Sequence, residues 1–166
     1  MADNIYNTTD TNSIGYQMGG NLIGIYSGLY CLVAVIVTIF LARLKKENFR
    51  IALSIAMFLS AFSFGMMYFA HDLIWMTIAF VIFGAGWAGL NIYPVTFITD
   101  AVSREYMGSY IGLMNVQICI PQIAASLLSV VVLPLFKGSM PAMILFSAFF
   151  FLAAAFSSLL IKNKDI

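Results

Sequence analysis

The chain has 166 residues, 62% of them hydrophobic and 9% charged, with a formal net charge of +1 and a mean hydropathy of +0.97. So apolar and charge-poor a composition excludes an ordinary soluble domain and points to the lipid bilayer as the chain's solvent. The few Lys and Arg form no extended basic face, which argues against a nucleic-acid partner, and no CxxC, HExxH, GxSxG or phosphate-loop pattern points to a metal, a cofactor or an enzyme.

Residues 1–21 form a polar opening segment, acidic at Asp3 and Asp10 and free of Lys and Arg. A cleavable signal peptide has the opposite order, basic first and then apolar. Asn7-Thr8-Thr9 fits the glycosylation acceptor pattern, which has meaning only if this segment lies outside the cell. A bilayer core of about 30 Å takes roughly 20 apolar residues as helix, and the chain supplies that length five times. The spans are expected at 22–42, 51–70, 73–99, 106–133 and 141–161, making an all-α, polytopic bundle over 22–161 with a tail at 162–166. The runs are long and do not alternate with period two, so strands are disfavoured.

In the first span Gly20, Gly24 and Gly28 recur at steps of four, the spacing of a close-packing face. Ser54, Ala61 and Gly65 offer a comparable seam in the second. Cys31 and Cys119 sit in apolar runs and read as small packing residues. The link between the second and third spans is His71-Asp72, with Asp72 placed to start a helix. His71 is the only histidine; it reads as a solvated surface residue, with proton coupling as the alternative.

The third span sets Gly84, Ala88 and Asn91 on one face and Gly86, Gly89 and Tyr93 on another. Pro94 lacks an N–H, so a bend or opening is expected near Asn91. Trp87 either packs or stacks on a flat solute face. In the fourth span Gly108, Gly112, Asn115, Cys119, Gln122, Ser126 and Ser129 recur at steps of three and four, a small or polar stripe along one helix face. An amide in hydrocarbon is costly unless it finds a partner or water, so Asn115 and Gln122 should face the protein interior or a wet cavity. Packing by the glycines and cavity lining by the amides both remain open readings. Pro121 repeats beside Gln122 the pairing of Pro94 with Asn91. Phe149, Phe150 and Phe151 in the fifth span read as lipid-facing or core bulk.

With five spans, one side of the membrane collects Arg43, Lys45, Lys46, Arg50, Arg104, Lys162 and Lys164, and the other has Lys137 alone. The positive-inside rule then puts the N-terminus outside and the C-terminus in the cytoplasm. No Asp, Glu, Lys or Arg lies at hydrocarbon depth, so this chain supplies no evident ion-coupling site of its own.

The stretch GAGWAGLNIYPVTFITDAVSREYMGSYIGLMNVQICIPQIAASLL, residues 84–128, resembles the tenth and eleventh helices of the major facilitator superfamily, and within it the sucrose and glycoside-pentoside-hexuronide cation symporters. The matching residues are Gly84, Gly86, Trp87, Pro94, Asp100, Gly108, Tyr110, Gly112, Asn115, Pro121 and Gln122. The resemblance implies helices 8–12 of the twelve-helix fold, a C-terminal fragment of a permease. It implies a sugar or similar polyhydroxylated solute, moved by alternating access and coupled to H+ or Na+ through a missing N-terminal bundle or a separate partner chain. It further implies solute contacts at Asn91, Asn115, Gln122 and Trp87, gating at Asp100, Arg104, Pro94 and Pro121, and a place in the cell's inner membrane. The competing expectation is a non-transporting membrane protein, or an inactive remnant, whose polar stripe only packs helices.

Overall fold

The computed structural model describes residues 5–8, 10–44 and 48–160, with the backbone alone at Asp100 and Ala101. Asp3, Thr9 of the glycosylation triplet, Lys45, Lys46 and the tail with Lys162 and Lys164 lie outside the described residues. Five long helices follow in chain order: α1 (Ile14–Leu41), α2 (Phe49–Phe69), α3 (Leu73–Ala101), α4 (Met107–Leu135) and α5 (Met140–Leu159). All five are long and apolar enough to cross a membrane, and no strand occurs among the described residues.

The helix ends follow local chemistry. α1 begins at Ile14, eight residues before the expected apolar run, because Ser13 caps it. Its Oγ accepts from the Tyr16 N–H at 3.1 Å and donates to the Asp10 carbonyl at 2.7 Å, satisfying an amide that a bare helix start leaves orphaned. At 28 residues α1 is about 42 Å long, so its first two turns reach past a 30 Å hydrocarbon core. Asp72 caps α3 as expected, its Oδ1 accepting from the Trp75 N–H at 2.9 Å. α4 ends in a tight reversal in which the Gly138 N–H reaches the Leu133 carbonyl and the Lys137 N–H the Pro134 carbonyl, both at 3.0 Å. That closure is the Schellman pattern, and it holds Lys137 at φ +52. Ser139 then caps α5, whose first turn carries Pro141.

Lipid tails are as apolar as leucine, so helices in a bilayer associate through close packing and interhelical hydrogen bonds. The seams here are made of small residues. α2 lies between α3 and α5, and α1 packs on the other side of α3, giving the lateral order α5–α2–α3–α1. Ser54, Ala56, Ser60, Ala61 and Ser63 of α2 are buried, as are Ala148, Ala155 and Ser158 of α5. Hydroxyls stitch the seams: Ser54 Oγ meets Ser158 Oγ at 2.6 Å, Ser63 Oγ donates to the Ala79 carbonyl at 2.8 Å, and Tyr26 OH donates to the Leu73 carbonyl at 3.1 Å.

α4 stands apart. It buries no residue, and its one substantial contact, a slight one, is with α3.

Two glycine patterns of similar appearance have different fates. A Cβ on Gly84 would come within 2.6 Å of the Tyr30 carbonyl oxygen and 2.9 Å of Val33 Cβ in α1. On Gly86 it would run into Ser60 Oγ and approach the Ala56 carbonyl at 2.8 Å, and on Gly89 it would come within 2.5 Å of Ala56 Cβ, both in α2. Gly84 therefore lies in the seam with α1, and Gly86 and Gly89 in the seam with α2. Gly20, Gly24, Gly28, Gly65, Gly108 and Gly112 have nothing among the described residues within 4 Å of such a Cβ, so no described helix packs against them as expected. Cys31 and Cys119 are exposed free thiols where buried packing was expected.

Candidate functional site

The polar side chains of interest lie on α3 and α4. On α3, Trp87 and Asn91 are one turn apart on the same face, and both are exposed. The Asn91 side chain does not reach across to another helix. Its Nδ2 donates to the Trp87 carbonyl at 2.8 Å, which fixes the amide plane and leaves Oδ1 an open acceptor. The Trp87 ring is held by its neighbours, edge-on to Tyr30 at 6.2 Å and tilted against Phe83 at 5.8 Å. One helix turn thus presents a fixed aromatic ring and a fixed amide carbonyl side by side.

On α4, Asn115 and Gln122 are exposed, and neither side chain has a hydrogen-bond partner among the described residues. Ser126 and Ser129, further along the stripe, satisfy themselves locally by donating to the Gln122 and Ser126 carbonyls at 3.0 and 2.7 Å. The stripe therefore divides into hydroxyls that need nothing and amides that need something. Gln117, off the stripe, is also exposed.

No hydrogen bond joins Asn91 to Asn115 or Gln122 among the described residues, consistent with the slight contact between their helices. α3 and α4 run as α-helix through Pro94, Pro121 and Pro134. Helical hydrogen bonding thus continues on either side of each proline, and the chemistry behind a bend remains. A proline offers no N–H to the carbonyl four residues back, so the carbonyls of Leu90 and Gln117 have no helical donor. Asp100 lies in the last turn of α3 with its side chain outside the described residues, and Arg104 is exposed in the short link to α4. A gate pair between them is accordingly not described.

Two features were not anticipated from the sequence. Tyr93 is fully buried with its ring 5.3 Å from that of Phe49, yet its hydroxyl has no hydrogen-bond partner among the described residues. Tyr30 sits at the centre of a ring cluster with Phe80, Phe83 and Trp87; nothing in its sequence neighbourhood marks it, because its partners come from α3. An apolar groove of about 510 Å³ lined by Phe62, Gly65, Met66, Phe69, Ala70 and Trp75 lies where α2 ends and α3 begins. That is about 24 Å of helix rise from Asn91, and it contains no polar group suited to a solute. No cluster of three His, Cys, Asp or Glu fit for a metal ion occurs among the described residues.

Comparison with known proteins supplies the family. Searches of the curated proteins and of the solved structures returned no match. The family model of the Major Facilitator Superfamily matches residues 4–126, which takes in α1 to α3 and most of α4, including every residue of the amide and tryptophan set. Five helices long and apolar enough to cross a membrane, with the family match running over residues 4–126, make this chain a multi-pass membrane protein that belongs to the Major Facilitator Superfamily of transporters.

Proposed function

We propose that the chain forms part of the solute path of an alternating-access transporter for sugars or similar polyhydroxylated solutes. One observation carries this reading: α4 spans the bilayer with Asn115 and Gln122 exposed, unbonded and on one face. Leaving an amide unpaired in hydrocarbon costs roughly 2–7 kcal/mol, so this face meets water, solute or further helices. An amide offers both donors and an acceptor, the pairing that a solute rich in hydroxyls needs. Trp87 adds a ring face for the apolar side of a sugar, and Asn91 an acceptor beside it.

Coupling to H+ or Na+ falls to groups outside the five helices, since no ionisable side chain lies at mid-membrane depth in them. Pro94 and Pro121 take the helical donor from the Leu90 and Gln117 carbonyls and are the points at which the helices flex, with Asp100 and Arg104 closing the cytoplasmic end. The excess of Lys and Arg on one side supports an outside N-terminus and a cytoplasmic C-terminus, and the family resemblance supports a place in the cell's inner membrane. The alternative, a stripe that only packs helices, is favoured for Gly84, Gly86 and Gly89 by their tight contacts. It has no such support on α4.

The test replaces Asn115 with Leu and measures uptake of labelled disaccharides at matched membrane abundance. Loss of a neutral hydrogen bond, about 0.5–1.5 kcal/mol, raises the half-saturating concentration roughly 2- to 10-fold. Unchanged uptake across a panel of sugars would contradict the assignment.

A further inference from the structure

We infer that Tyr30 of α1 is a positioning residue for Trp87, so that the orientation of the solute-facing ring on α3 is set from the neighbouring helix. The inference rests on the role given to Trp87 above and extends it to a helix that otherwise contributes no polar group to the path.

Gly84 sets the crossing of α1 and α3. Its missing side chain lets the Tyr30 backbone lie against α3, with the Tyr30 carbonyl oxygen 2.6 Å and its Cα 3.1 Å from where a Cβ would stand. α1 and α3 run in the same direction here, Tyr26 meeting Thr77 and Tyr30 meeting Gly84. With its backbone pinned at that crossing, the Tyr30 side chain has to run along the α3 surface. It meets three rings there: Phe80 at 6.5 Å, Phe83 at 5.2 Å and Trp87 at 6.2 Å. The contacts with Phe83 and Trp87 are edge-to-face, at 68° and 80°. Edge-to-face is a preferred geometry for aromatic pairs and is specific in angle. Phe83 supports the indole from its own helix at 5.8 Å, but a single neighbour leaves the indole free to rotate away. Tyr30 removes that freedom, while 39% of the Trp87 surface stays open. A ring fixed before the solute arrives costs less ordering on binding.

Only two tryptophans occur, Trp75 and Trp87, so Trp75→Phe leaves Trp87 as the sole indole reporter. In the full chain, reconstituted in phosphatidylcholine vesicles, Tyr30→Leu is expected to lower the anisotropy of Trp87 fluorescence, and Tyr30→Phe, which keeps the ring, to preserve it. In uptake assays with a labelled disaccharide, Tyr30→Leu is expected to raise the half-saturating concentration roughly 2- to 10-fold, the equivalent of one aromatic pair. The maximal rate at matched abundance stays the same, and Tyr30→Phe again behaves as the parent. Tyr30→Met, also without a ring but longer, stands in if the leucine variant fails to insert. Unaltered anisotropy in the variants without a ring would overturn the inference, as would an unaltered half-saturating concentration where Trp87→Leu raises it. Lowered anisotropy combined with normal uptake by Trp87→Leu would instead overturn the solute role of Trp87 and, with it, Tyr30's place in the path.

Discussion

Tyr93 carries a hydroxyl at a position where its ring is fully buried and the group finds no partner among the described residues. A buried donor left unmade costs about 1–3 kcal/mol, so Tyr93→Phe, which keeps the ring against Phe49 and removes the orphan, is expected to stabilise the bundle by about 1 kcal/mol. Thermal unfolding in detergent reads this as a raised midpoint; a lowered one would mean that the hydroxyl is bonded. The orphan was not legible beforehand, because burial of a tyrosine tip depends on helices far apart in the chain, α2 at Phe49 and α3 at Tyr93. Asn91 shows the opposite case. Its partner, the Trp87 carbonyl, lies one turn back on the same helix, a pairing available to any helical Asn. What the residue list alone could mark was the amide's presence in an apolar run, which was legible and is where the candidate site lies.

At the scale of the helix, length and apolarity placed four of the five spans within about two residues of their starts. The exception is α1, where the helix begins in a polar stretch under the control of the Ser13 cap and continues for two turns before the apolar run. Which glycines make a seam was not legible. Steps of four in α1 and the Gly84, Gly86 and Gly89 set in α3 are both plausible packing patterns, and only the choice of neighbour separates them. The difference is measurable. Gly86→Ala pushes a Cβ into the Ala56 carbonyl and Ser60 and is expected to destabilise by about 1–3 kcal/mol. Gly112→Ala on α4 meets nothing within 4 Å and is expected to be neutral, or stabilising by up to about 1 kcal/mol through helix propensity. Comparable losses in thermal unfolding for the two variants would mean that α4 is packed as tightly as α3.

At the scale of the molecule, four helices form a stitched sheet of cylinders and the fifth in contact, α4, brings its amides to the outside of that sheet. The family and the membrane setting were legible from composition and from the 84–128 motif, and the family match over residues 4–126 bears both out. The arrangement of the polar faces was not legible, because it depends on what stands opposite α4 rather than on the stripe itself. The central claim is that the amide-bearing faces of α3 and α4 meet water rather than lipid. Its most direct test is thiol accessibility in a chain with Cys31 and Cys119 changed to Ser, carrying one new cysteine at a time at 91, 115 or 122. Leu113 and Ile120, on the far side of α4, provide lipid-facing controls, and positions 71 and 104 report which side the reagent comes from. With a charged, membrane-impermeant thiol reagent, the account predicts modification at 91, 115 and 122, slowed by a transported sugar, and none at 113 or 120. Equal protection of all five positions would contradict it.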